Sequence, residues 1–105
     1  MDKFTHIELK LNKDVKKGEK ESLLTLFSFE DRIKRMEILK NLDEGESVKV
    51  TLKGLGETEL GLGNDMEVGD KKTIMTLFWL PEKSKLFEVT RDAKAGENIS
   101  LEMWK

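Results

Sequence analysis

With 105 residues, the chain has room for one domain, which would bury roughly two-thirds of the surface its unfolded form exposes. Its 19 basic and 21 acidic side chains leave a net charge of −2; such a balance does not imply the strong electrostatic attraction of a basic nucleic-acid binder, though a local face could still be basic. The absence of cysteine excludes disulfides and thiolate metal sites, so stability must come from packing.

The apolar residues are patterned rather than diluted, which marks a folded chain despite its high charge. Residues Met1 to His6 contain no apolar run, and no stretch approaches the ~20 apolar residues of a membrane span. A soluble, cytoplasmic protein without a membrane partner is expected.

In chain order, Thr5 to Leu11 alternates Ile7, Leu9 and Leu11 with His6, Glu8 and Lys10, the pattern of a half-buried strand. Asn12 to Glu21 is polar and reads as a turn around Gly18. Ser22 to Phe29 is almost continuously apolar and predicts a strand covered on both faces. Glu30 to Leu42 predicts a helix, with Ser28 and Asp31 at capping spacing, Glu30/Lys34 and Asp31/Arg35 at i, i+4, and Phe29, Ile33, Met36 and Leu39 along one side.

Ser47 to Lys53 alternates cleanly, with Val48, Val50 and Leu52 inward. Gly54-Leu55-Gly56 then turns the chain into Glu57 to Leu62, which predicts a hairpin. Lys72 to Leu80 reads as the most apolar strand. Pro81 to Ala93 reads as a short turn or helix followed by a strand. Asn98 to Trp104 is a final alternating strand, and as an exposed edge it could pair with a second copy to give a homodimer.

The chain resembles itself at an offset of 51 residues. Asp14, Gly18 and Thr25-Leu26-Phe27 fall on Asp65, Gly69 and Thr76-Leu77-Phe78, and Gly45-Glu46 falls on Gly96-Glu97. Two β-rich halves share letters by chance, but here the glycine turns and the apolar alternation stay in phase without a gap. The reading is one domain, 1–105, made of two repeats, 1–51 and 52–105, each burying its apolar face against the other. Neither half is expected to fold alone.

The expected fold is mainly β (α+β), an internally duplicated, pseudo-two-fold small barrel or sandwich of about 6–8 strands with one or two short helices. Each half carries two turns of glycine followed by an acid: Gly18-Glu19 and Gly45-Glu46, then Gly69-Asp70 and Gly96-Glu97. The acid is placed to accept backbone N–H groups of the turn. These turns, in strand-rich repeats of this length, resemble those of cradle-loop and double-psi β-barrels, which implies a barrel.

The chemistry-bearing residues are few. His6 is the only histidine, too isolated for a metal site or a catalytic base. Asp14, Glu19, Asp65 and Asp70, with Asn64 and Glu67, supply oxygens for a cation but lack EF-hand spacing, so no metal or cofactor is expected. Gly54, Gly56, Gly61 and Gly63 fit no phosphate-loop pattern and read as turns or bulges.

Trp79 and Trp104 differ most from their repeat counterparts, Ser28 and Lys53. Exposed tryptophan favours binding, and the alternative is that the two cover the open ends of a small barrel. The expected function is a non-catalytic protein–protein interaction module, an adaptor or inhibitor, with Trp79 and Trp104 on its binding face and another protein as partner. The first alternative is a small-ligand or carbohydrate-binding β-domain, with the tryptophans stacking in a barrel mouth. The second is a single-stranded nucleic-acid binder using Lys49, Lys53, Lys83 and Lys85 on one sheet face, a partner the charge count does not favour. Nothing in the sequence assembles an enzyme's catalytic set.

Overall fold

The computed structural model describes residues 1–105. The elements run β1 (Lys3–Lys10), β2 (Lys20–Glu21), α1 (Leu23–Leu26), α2 (Phe29–Arg32), β3 (Met36–Glu37), β4 (Ser47–Leu52), then β5 (Gly56–Gly61), β6 (Lys71–Lys72), α3 (Ile74–Leu77), α4 (Leu80–Lys83), β7 (Phe87–Glu88) and β8 (Asn98–Trp104). The fold is mainly β. Its principal sheet has the order β1-β8-β4-β5, and β2 with β7 and β3 with β6 form two short ribbons.

No sheet closes into a barrel, which corrects the barrel expectation and the fold implied by the glycine-acid turns. β1 and β5 remain the edges of the principal sheet, and no strand pair joins them. A second correction concerns β8. The last strand is not an edge but lies between β1 and β4, so its backbone groups are already paired within the sheet.

The long strands form where alternation predicted them. In β4 the inward Val48, Val50 and Leu52 are buried, and in β8 Ile99, Leu101 and Met103 are buried. They join Leu9, Leu60, Phe27, Phe78 and others in one cluster of 26 residues. β1 departs once from strict alternation: a register shift between Lys3 and Thr5 lets the consecutive Phe4 and Thr5 both turn inward.

Three other expectations are overturned. Ser22 to Phe29 is not a strand; Leu23–Leu26 is one helical turn. Lys72 to Leu80 likewise holds α3 and the start of α4. The cause is a reciprocal cap that a short apolar run cannot reveal. At α3, Thr76 N–H donates to Thr73 Oγ1 and Thr73 N–H to Thr76 Oγ1, at 3.1 and 2.9 Å. At α1, Ser22 N–H donates to Thr25 Oγ1 at 2.8 Å. These bonds satisfy amides that an isolated turn would leave unpaired.

The predicted helix over 30–42 stops after Arg32. Ser28 caps it as expected, with Oγ accepting from Asp31 N–H at 3.3 Å. Beyond it, the alternation of buried Met36 and Ile38 around Glu37 wins, and Met36–Glu37 pairs with β6. Asp31 does not reach Arg35 but accepts from Lys10 N–H at 3.0 Å and pairs with Lys34 at 3.1 Å.

The glycine-acid turns behave as the sequence suggested. At Gly18 φ is +93°, a region that glycine enters without steric penalty, and its N–H donates across to Val89 O at 2.8 Å. The Glu19 carboxylate accepts from Lys16 N–H. The same back-bond joins Glu46 to Asp43 N–H and Asp70 to Glu67 N–H, at 2.6 and 2.8 Å. A third bond crosses from the facing turn: Asp92, Asp65, Asn41 and Asp14 accept from Lys17, Glu44, Val68 and Ala95 N–H, at 2.8, 2.7, 2.8 and 2.8 Å.

Candidate functional site

Trp79 precedes α4 and is 58% exposed, whereas its neighbour Phe78 is buried. Its indole is not loose. Nε1 donates to Gly63 O at 2.9 Å, and the ring lies so close to Gly63 that a Cβ there would overlap Trp79 Cδ1. A bare glycine backbone thus seats a large aromatic at the surface in one orientation. We expect Gly63→Ala to unseat it, raising acrylamide quenching of Trp79 in a Trp104→Phe background at a stability cost of about 1 kcal/mol; unchanged quenching would count against a seated ring.

Trp104 lies at the end of β8, opposite Lys49 in the register. It is half-buried, and Nε1 donates to Thr51 Oγ1 at 3.1 Å. With Met1, Lys49 and Thr51 it lines a shallow depression. The two indoles therefore sit on different elements and share no hydrogen-bond partner.

His6 is exposed in β1, opposite Glu102. The acids Asp14, Glu19, Asp65 and Asp70 are spent on backbone N–H groups of the turns, and no group of three or more His, Asp or Glu side chains gathers as ligands. Gly56 allows another close approach, since a Cβ there would come within 3.0 Å of Glu88 O and the Phe87 ring. At the Asp14–Ala93 depression, the hydrogen bond from Arg91 to Glu97 at 2.7 Å holds that carboxyl below its ordinary value. The four lysines expected on one sheet face do not share one: Lys49 is in β4, Lys53 follows it, and Lys83 is buried in α4.

Sequence reasoning missed the most unusual electrostatic feature. Lys83 is only 4% exposed, and its ammonium donates to Met75 O at 3.1 Å with Met75 Sδ at 3.8 Å. Arg32 comes to the same sulfur: NH1 is 3.5 Å from Met75 Sδ, and Nε donates to Phe27 O and Ser28 O at 3.1 and 3.3 Å. Two cations thus meet over one methionine, and neither belongs to any of the eight ion pairs. The only available signal was their spacing, 51 residues apart at the ends of α2 and α4.

Burial first, and the Arg32 guanidinium second, push the Lys83 ammonium below the ordinary lysine value of 10.5. The unfolded chain then holds more protons than the folded one between the lowered value and 10.5, so stability rises with pH across that interval. Lys83→Met should be more stable at neutral pH by about 1 kcal/mol. The advantage should be full below the folded-state value and vanish as pH approaches 10.5. Urea midpoints at neutral and alkaline pH check it, and a pH-independent difference would contradict it.

Compared with protein-family models, curated proteins and solved structures, the chain matches none. No helix is long and apolar enough to cross a membrane.

Proposed function

We propose that the chain is a non-catalytic, cytoplasmic protein–protein interaction module, an adaptor or inhibitor, that recognises its partner through an aromatic surface centred on Trp79. One observation carries this reading: Trp79 is both exposed and fixed by its bond to Gly63 O. An aromatic held in place before binding loses little conformational freedom on association, and tryptophan is enriched among residues that dominate interface energy. Trp104, half-buried and tied to Thr51, is a secondary contact. A ligand-binding β-domain has less support, because Trp79 lines none of the surface depressions.

The finer architecture belongs to the same proposal: one domain composed of two copies of a unit, 1–51 and 52–105. Its support is that element order and strand pairings recur at an offset of 51. Ile7 faces Leu101 and Val50 faces Thr58; Lys20 faces Glu88 and Glu37 faces Lys71. In β4 and β8, Thr51 faces Glu102, the residue 51 positions on, as a local two-fold relation between the units would require.

The test is affinity capture from lysate with the intact protein beside Trp79→Ser and Trp104→Lys variants, each first shown to fold by circular dichroism. Loss of a captured protein with Trp79→Ser supports the reading. Identical capture by all three, or none by any, overturns it.

A further inference from the structure

Five of the eight exposed large hydrophobic residues, Phe29, Ile33, Trp79, Leu80 and Leu86, fall in two short segments around α2 and α4. The cations Arg32 and Lys83 lie on these same helices, one turn after Phe29 and Leu80 respectively. We infer that α2 and α4 together form a docking surface for an acidic, apolar segment of another protein, whose carboxylate is received by Arg32. The inference rests on the interaction-module reading and supplies the chemistry of its partner.

Charge carries the argument. Residues 29–35 and 79–86 hold five basic side chains and three acidic ones, in a chain whose net charge is −2. Two of the three acids are already engaged: Asp31 with Lys10 N–H and Lys34, and Glu82 with Gly61 N–H. Arg32 and Lys83 are left facing each other across Met75 without a counter-charge.

The donors show where an acid would sit. Arg32 spends Nε on two carbonyls and one N–H of NH1 on sulfur, which leaves NH2 with no partner. The guanidinium is half-exposed beside the Phe29 ring, 6.0 Å from its centroid. Lys83 is recessed, so it adds attraction from behind rather than a direct contact. A carboxylate at NH2 would relieve the repulsion between the cations, and apolar partner side chains over Phe29, Ile33 and Leu80 would shield the new pair from water, which strengthens it. A single half-buried guanidinium beside the Phe29 ring suits one directed acid. It does not suit the row of phosphates along a nucleic acid.

The probe is a displayed library of random 12-residue peptides selected on the intact protein. The most enriched peptides are then synthesised and titrated by fluorescence anisotropy against wild type, Arg32→Gln, Leu80→Ser and Trp104→Lys, all shown to fold. The expected pool combines Asp or Glu with Leu, Phe or Trp. Binding should weaken about tenfold in Arg32→Gln, weaken in Leu80→Ser, fall with added salt and weaken least in Trp104→Lys, which changes only the secondary contact. Because Arg32 also holds two carbonyls, Leu80→Ser keeps the test decisive if Arg32→Gln does not fold.

A pool without acidic enrichment, or peptides that bind every variant equally, overturns the inference. So does Arg32-dependent sedimentation with phosphatidylserine vesicles in the absence of acidic peptides, which would make the occupant a lipid surface. Peptides lost only with Trp104→Lys overturn this site while leaving the interaction module standing, and an empty pool overturns the inference alone, because the lysate capture judges the wider reading.

Discussion

Cleaving the chain between Lys53 and Gly54 should give two fragments that are each unstructured and that recover the β-sheet signal when mixed. The reason is the way the strands interleave. β1 pairs with β8, β8 with β4, and β4 with β5, while the ribbons join β2 to β7 and β3 to β6. Every named strand pair thus joins residues 1–53 to residues 54–105. Of the isolated bridges, Val15–Ala93 and Leu42–Met66 also cross, and only Leu62–Phe78 lies within one fragment.

A lone fragment keeps no strand pair and has no second face to cover its apolar residues. It would therefore lose the entire folding free energy, about 5–15 kcal/mol for a domain of ordinary stability. Recovery on mixing should depend on concentration, because the hairpin at Gly54 that made pairing intramolecular has been removed. Far-ultraviolet circular dichroism of each fragment and of the equimolar mixture, over a range of concentrations, measures this. A cooperative urea transition in either fragment alone would refute the argument.

The same interleaving explains which features could be read from the sequence. β1, β4, β5 and β8 were legible because each is long enough for alternation to show, with Val48, Val50 and Leu52 buried between exposed or half-buried neighbours. The order of those strands was not. Nothing local in residues 98–104 tells that the strand inserts between β1 and β4, so it read as an edge. α1 and α3 were missed because a four-residue helix is too short to display its period, and an apolar run such as Ser22–Phe27 suits a buried strand equally well. Their signal was the Ser/Thr-x-x-Thr spacing, a capping pattern that the apolar content masked.

The candidate site divides in the same way. Trp79 was noticed because its counterpart is Ser28, but the glycine that seats it, sixteen positions away, was assigned to a turn. Arg32 was not singled out, and Lys83 was read only as one of four lysines on a sheet face. Their meeting over Met75 is a tertiary event, joining residues that lie 43 and 8 positions from that methionine. Long-range convergence of this kind leaves no mark on local composition.

Phe27→Ala and Phe78→Ala should each cost about 3–5 kcal/mol, the range for truncating a buried aromatic. Phe27 is 0% and Phe78 2% exposed. Each follows a one-turn helix in extended conformation, with φ and ψ of −124° and 143° at Phe27 and −123° and 150° at Phe78. α1 and α3 are too short to persist on their own, so these rings, with Leu26 and Leu77, are what fasten them to the sheet. Against a total of about 5–15 kcal/mol, either change should leave a marginal protein and the pair together an unfolded one. Trp79→Ala, which removes an exposed ring and one hydrogen bond, should cost only about 1 kcal/mol. Urea midpoints with unchanged slopes provide the comparison. If 1–51 and 52–105 are copies that bury each other, the two phenylalanines occupy the same environment, and their costs should agree within about 1 kcal/mol, the scatter expected at matched core sites. A difference of more than twice that would mean the halves share a strand pattern without sharing a core, and the two-copy architecture would have to be abandoned even if the fragments still require each other to fold.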